Sequence, residues 1–235
     1  MRRTLCFLAC AAPAAALAAV GRRAALGGAA ALVGATQPSG AARTGDLASA
    51  LLGAPGRTWR DDAPRAACSA SGWDLTPLAD ADIAARAARL PPLSQRVALE
   101  ADTERPFTGQ ALPLAAGGVS PGYKSEAVGV YVSAVSGLPL FSSGAKYDSG
   151  TGWPSFFVPF DAAHVIERAD PGDAGLPASF RRTEVLDAKT GAHVGHVFPD
   201  GPPPTGMRYC LNAAALVFVP ESEWRAFAVA GRCSV

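Results

Sequence analysis

The sequence predicts a mainly β fold in which antiparallel strands close on one another as a barrel or sandwich-like core. Three observations carry this. From Ala127 onward the chain breaks into seven short runs rich in Val, Phe and Tyr, namely VGVYVSAV, PLFSS, SFFVPF, TEVLD, AHVGHVF, MRYCLN and ALVFV. Between them stand the turn-forming clusters SG, DSGTG, DPGDAG and DGPPPTG. Finally, 235 residues with 49% hydrophobic and 17% charged content can fill a sizeable core and do not read as a disordered chain.

Taken in order, residues 1–45 read as a targeting leader. They hold five Arg (Arg2, Arg3, Arg22, Arg23 and Arg43) and no acid, in an Ala- and Gly-dominated background. Two Arg pairs each precede a mild apolar run. That bipartite look, and the twin Arg, suggest a plastid, stroma or thylakoid lumen, with a mitochondrion or the secretory pathway as the alternative. Residues 46–75 mix Gly, Pro, Arg and Asp as a linker would. Thr76 and Pro77 then suit the N-cap and first position of a helix through LADADIAARAARL, with Asp80 and Asp82 at its positive end and Pro91–Pro92 as its stop. Residues 93–122 contain TERPFTG and then a Gly/Pro-rich turn region. The strand region follows. The helix ESEWRAFAV closes a domain spanning 76–228, and residues 229–235 remain as a tail.

Charge excludes some functions. The chain carries 21 basic and 20 acidic residues, and without the leader's five Arg the balance is 16 against 20, so bulk charge offers no nucleic-acid grip. No run of 18 bulky apolar residues marks a membrane span. Five cysteines are too few for a disulfide scaffold, and three of them, Cys68, Cys210 and Cys233, lie beyond the leader.

Three motifs could carry chemistry. If MRYCLN is a strand, Arg208, Cys210 and Asn212 share one face, with Met207, Tyr209 and Leu211 on the other. A guanidinium beside a thiol favours the nucleophilic thiolate, although a buried inert Cys is as common an outcome. In GAHVGHVF, His193 and His196 would face opposite ways on a regular strand. Gly195 between them permits a bulge that brings them together, and imidazoles could then orient or protonate a substrate oxygen. In YDSGTGWPSF, Trp153 either anchors a loop or walls an apolar pocket. Composition and spacing stop at a thiol-dependent β enzyme and name no reaction.

The longer strings go further. TERPFTG, SSGAKYDSGTGWPSF, RRTEV and AHVGHVFPDGPPPTGMRYCLNAAALVFVP occur in consistent order over roughly residues 90–220, and together they resemble the B-type methionine-R-sulfoxide reductases. The resemblance implies antiparallel sheets forming a barrel- or tent-like core with a few short helices on the N-terminal side. It implies reduction of methionine-R-sulfoxide, mainly in oxidised client proteins, through a sulfenic acid on the nucleophilic Cys210, recycled by thioredoxin, glutaredoxin or another thiol. It assigns Trp153, Phe198 and Asp200 to the substrate, His196 as proton donor, and His193 and Asn212 to orientation. Arg208, steadied by Asp200, would favour the thiolate. No membrane, nucleic acid or second subunit is implied.

Two departures matter. Family members with a structural zinc bind it through two CxxC pairs, which would fall here at Ser133 and Ser136 and at Asp187 and Thr190; none is cysteine, so a zinc-free form without a metal cofactor is expected, its turns held by hydrogen bonds such as those of Ser133 or Thr190. The resolving cysteine that some members place two residues before the motif Trp is Thr151 here. Resolution is expected from an external reductant first, with Cys68 and then Cys233 as internal candidates. A Cys210–His196–Asp200 hydrolase and a non-catalytic β-binding module are the competing readings.

Overall fold

A computed structural model describes residues 66–233. The leader expected over residues 1–45, with Cys6 and Cys10, and residues 46–65 of the expected linker lie outside them.

The described chain is mainly β, with ten strands and three α-helices among the described residues. The strands are β1 (Leu112–Pro113), β2 (Gly129–Ser133), β3 (Pro139–Ser142), β4 (Lys146–Tyr147), β5 (Ser155–Phe156), β6 (Val165–Ala169), β7 (Thr183–Asp187), β8 (His193–Phe198), β9 (Arg208–Leu211) and β10 (Leu216–Pro220). They form a four-stranded sheet, β1-β10-β2-β3, and a six-stranded sheet, β4-β5-β9-β8-β7-β6. Every pairing is antiparallel except β1 with β10. Neither sheet closes into a barrel.

The sheets meet through aromatic rings. Phe156 of the larger sheet lies 5.2 Å from Tyr131 and 4.8 Å from Phe141 of the smaller one, and all three are fully buried. β2 is buried along its whole length. Tyr131 faces this core, while Val130 and Val132 meet Trp224 and Phe227 of α3 (Glu221–Val229) on the other side. That explains why VYV is continuously apolar rather than alternating.

All seven expected runs contain strands. The chain adds β1, β4 and β6. β1 and β4 are two-residue pairings that no period-2 pattern can announce. β6, in HVIERA, keeps only Val165 and Ile166 buried, because it is the edge of its sheet.

The helical region differs from expectation at both ends. α1 (Asp80–Ala87) begins after Ala79, not at Thr76. Thr76 N donates to Asp74 and Leu78 N to the carbonyl of Lys189, which keeps this stretch extended. α1 ends at Ala87, short of Pro91–Pro92, in a turn where Arg89 N and Leu90 N donate to Arg86 O and Ala87 O, and Pro92 opens α2 (Pro92–Glu100), where a missing N–H costs nothing in the first turn.

The expected linker and tail are corrected over residues 66–75 and 229–233, which are part of the folded body. Trp73 and Leu75 are buried, with Trp73 stacked 5.6 Å from Trp224. Bridges Cys68 with Asp74 and Trp73 with Arg232, and a bond from Cys233 N to Gly72 O, bring both ends together. Cys68 and Cys233 are joined as a disulfide.

Candidate functional site

The site is built on β8 and β9 in the middle of the larger sheet. β9 alternates as expected: Tyr209 and Leu211 are buried beneath the sheet, and Arg208 and Cys210 emerge on the other face. Cys210 has His196 of β8 as its register partner on one side and Ser155 of β5 on the other. It is the free cysteine among the described residues, and it is partly exposed.

The histidines come together because β8 carries a bulge. Val185 pairs with Gly195 and Leu186 with His193, so Val194 is an extra residue that resets the alternation. The two rings stand edge to face, 5.3 Å apart. Gly195 is required here, since a Cβ would lie 2.3 Å from the carbonyl oxygen of Cys210.

A cleft of about 130 Å³ opens above Cys210, lined by Thr103, Trp153, Arg182, Gly195, His196, Phe198, Leu211 and Asn212 as well. Pockets that bury drug-sized molecules run to roughly 300–1,000 Å³, so this one fits a single side chain. Trp153 is fixed as its wall: the indole N–H donates to the Glu104 carbonyl at 3.1 Å, and Phe107 N donates to Gly152 O at 2.7 Å. Thus TERPFTG and GWPSF are zipped together across the cleft. Gly152 sits at φ +92°, and a Cβ there would strike Phe107 N.

Asn212 lines the cleft, but its amide serves the backbone. Its Oδ1 accepts from Glu104 N and its Nδ2 donates to Val194 O. The Glu104 carboxylate receives Ala213 N and Ala214 N at 2.7 and 2.8 Å, and its burial raises its pKa despite those bonds. Sequence reasoning singles out no residue of TERPFTG. Glu104 carried no local signal, since Asp102, Thr103 and Arg105 around it are also polar. Thr103 and Arg182 carried none beyond lying within TERPFTG and RRTEV.

Three expected site residues, His193, Asp200 and Arg208, stand back from the cleft. His193 is 1% exposed and donates Nδ1–H to Glu184 at 2.7 Å, while Glu184 also takes Arg168 at 3.1 Å. Its buried Nε2 finds no partner among the described residues. Asp200 is 60% exposed and forms a two-point pair with Arg208 at 2.8 Å for both bonds. The Arg208 guanidinium also lies 4.4 Å over the Phe198 ring. Asp200 therefore fixes Arg208, whose pKa is raised by Asp200 first and, through space, by Cys210. The Cys210–His196–Asp200 triad of the hydrolase reading is not assembled, because the carboxylate on His196 is Asp170, 2.7 Å from Nε2.

Cys68 and Cys233, the internal resolving candidates, are bonded to each other, and neither lines the cleft. Residues 66–75, a strap along the body, and the tail at 229–233 cross at this point, which is what pairs them.

At the four turn positions the side chains satisfy one another. Asp187 Oδ2 accepts from Ser133 Oγ at 2.7 Å and Thr190 Oγ1 at 2.6 Å, and Asp187 Oδ1 accepts from Lys189 N. Ser133 Oγ caps Val135 N and Ser136 N, Ser136 Oγ caps Leu138 N, and Thr190 Oγ1 caps Ala192 N. One carboxylate and three hydroxyls do not fit structural zinc, which takes thiolate or imidazole. Among the described residues no cluster of three or more His, Cys, Asp or Glu could hold a metal ion.

Residues 90–220 match the model of the SelR domain. The chain belongs to the SelR family. This SelR chain is similar to curated proteins named peptide methionine sulfoxide reductase MsrB. The one from Thiobacillus denitrificans is 46% identical over 134 residues, 57% of this chain and 89% of that protein. Those from Xylella fastidiosa strain 9a5c and Burkholderia thailandensis are 41% and 44% identical over 148 and 138 residues, each covering 85% of the relative. The SelR match contains every cleft residue named above.

Proposed function

We propose that this chain is a peptide-methionine (R)-S-oxide reductase with Cys210 as its nucleophile. The observation that carries the reading is the placement of the free Cys210 thiol directly across from His196, beneath a Trp153-walled cleft sized for one side chain. The indole and Phe198 give the substrate methyl an apolar wall. The sulfoxide oxygen is a poor leaving group unless protonated, and a placed acid is worth ~10²–10⁴-fold; His196 is the ring at the cleft. Cys210 becomes a sulfenic acid, and methionine leaves.

Recycling falls to an external thiol, thioredoxin or glutaredoxin, since Cys68 and Cys233 hold each other. The enzyme acts on oxidised client proteins, works as a monomer, and uses no zinc, the Asp187 cluster tying the turns instead. The leader points to a plastid. The disulfide favours an oxidising compartment, hence the thylakoid lumen over the stroma, or the secretory pathway. Imaging a fluorescent protein carrying residues 1–65 tests the address.

The deciding assay is turnover of dabsylated methionine-R-sulfoxide and its S epimer with dithiothreitol. Reduction of the R epimer alone, abolished in Cys210→Ser, is expected. Turnover by Cys210→Ser, or of the S epimer, overturns the reading.

A further inference from the structure

The carboxylate paired with His196 has no part in the scheme so far. Asp170 lies just past β6, outside the strings that marked the family. Its Oδ2 accepts Nε2–H of His196 at 2.7 Å and Arg182 Nη2 at 3.1 Å, and its Oδ1 accepts Gly172 N at 2.8 Å. Both side chains of the His196–Asp170 pair are only 12% exposed. A carboxylate can only accept, so the pair places the ring proton on Nε2. Nδ1, which has no protein partner among the described residues, is then the nitrogen left for the cleft. Cys210 lies directly opposite on β9, and directly paired residues have Cβ atoms roughly 4.5–5.5 Å apart.

We propose that Asp170 is the positioning residue of a Cys210–His196–Asp170 proton relay, fixing the ring tautomer and holding the imidazolium that carries the thiol proton to the sulfoxide oxygen. The inference rests on the reductase reading. The Cys210 proton passes to Nδ1. The thiolate sulfur bonds to the sulfoxide sulfur while Nδ1–H protonates the oxygen. The S–O bond then breaks, the hydroxyl moves to the Cys210 sulfur, and the bond between the two sulfurs cleaves to release the thioether. The substrate sulfur is reduced by two electrons to a thioether, the Cys210 sulfur is oxidised by two to a sulfenic acid, and His196 returns neutral. No outside proton or reductant enters until recycling.

The groups around the ring make Asp170 necessary. His193 lies on the same strand, Glu184 opposite on β7 with Arg168 of β6 on it, Arg182 ahead of β7, Asp173 beyond Asp170, and Cys210 on β9. Burial first, then His193 and Arg182, disfavour the imidazolium, and Asp170 opposes them. Replacing Asp170 by a neutral side chain therefore lowers the His196 pKa further.

The test is the pH profile of R-epimer reduction by wild type, Asp170→Asn and Asp170→Glu. Asn keeps one acceptor oxygen, for Gly172 N or for Nε2–H but not both, and loses the charge. Its kcat should fall about tenfold or more with KM little changed, the loss of activity on raising pH should begin at lower pH, and Glu should restore part of both. A merely structural role would lower stability and leave that limb in place. An unmoved limb with wild-type kcat overturns the relay. So does ¹⁵N NMR of the wild-type protein showing neutral His196 protonated on Nδ1, a readout that needs no variant to fold. An inactive wild type would instead overturn the reductase reading, and the relay with it.

Discussion

Thr151 Oγ1 lies 3.7 Å from the Sγ of Cys210. A third-row sulfur and a hydroxyl are in contact at that distance. Thr151 is also held by Ser149, which in turn reaches Ser155, at 2.8 and 2.7 Å, so the hydroxyl is fixed beside the thiol. The position that carries a resolving cysteine in some family members is thus spatially ready here and chemically empty. Thr151→Cys should supply it. After one equivalent of substrate without reductant, mass spectrometry should find one oxygen gained by the wild type. Thr151→Cys should instead lose two hydrogens, through a disulfide between the introduced sulfur and Cys210. Sulfenic acid persisting in the variant would show that the loop cannot bring the two sulfurs to bonding distance.

Glu104 joins three parts of the cleft, since its carbonyl holds Trp153, its amide holds Asn212, and its carboxylate holds the turn after β9. Glu104→Ala leaves Ala213 N and Ala214 N buried without acceptors, at about 1–3 kcal/mol for each lost charged hydrogen bond. Glu104→Gln keeps one acceptor and should lose less. Both should raise KM more than they lower kcat, because the Trp153 wall loosens while Cys210 and His196 stay paired. Steady-state kinetics with equilibrium urea unfolding reads this, and a pure kcat loss would contradict it.

How much could be read beforehand follows from range. Alternation along 207–212 placed Arg208 and Cys210 on one face, and Gly195 marked the bulge that gathers the histidines, because both are local backbone properties. Asp170 was invisible because its partner is 26 residues away, and DPGDAG reads only as a turn. His193 and His196 look equivalent in sequence. Burial and partners separate them, giving His193 to Glu184 and His196 to the cleft. The strap at 66–75 was read as linker because the Gly, Pro, Arg and Asp composition of residues 46–75 outweighed its large apolar residues Trp73 and Leu75.

The Asp187 cluster should be a stability element in its own right. Asp187→Ala removes a buried acceptor shared by Ser133, Thr190 and Lys189 N, so a loss of about 3 kcal/mol is expected by urea unfolding. Replacing Ser133, Ser136, Asp187 and Thr190 together by Cys supplies four thiolates at adjoining turns. That variant should bind one zinc ion and melt higher with zinc than with a chelator. No zinc uptake would mean that the two turns are not spaced for tetrahedral ligation.

The Cys68–Cys233 bond closes a loop of 165 residues, and loops of that order are stabilised by about 4–5 kcal/mol through the unfolded state. Reduction by a phosphine should lower Tm by roughly 10 °C, while R-epimer turnover at 25 °C persists because Cys210 stands apart from the bond. An unchanged Tm would mean that Trp73 packing and the strap's hydrogen bonds hold the ends unaided.

Those hydrogen bonds carry their own pH dependence. Burial alone would raise the Asp161 pKa, but bonds from Ala163 N, Ser71 Oγ and Ser71 N outweigh it and bring it to about 2, against 3.8 for an ordinary Asp. The unfolded chain therefore binds this proton first as pH falls. Stability from Asp161 is present above about pH 4 and is lost as pH drops through 2. His164 adds a loss at higher pH. Burial lowers its pKa below 6.5, and the neutral ring donates to Pro139 O and accepts from Ser69 Oγ, so the unfolded state again takes the proton first. Unfolding free energy measured from pH 7 to pH 2 should fall in these two windows. Asp161→Asn should flatten the lower one and leave the upper one intact, and equal slopes in variant and wild type below pH 4 would remove Asp161 from the account of how the strap is held.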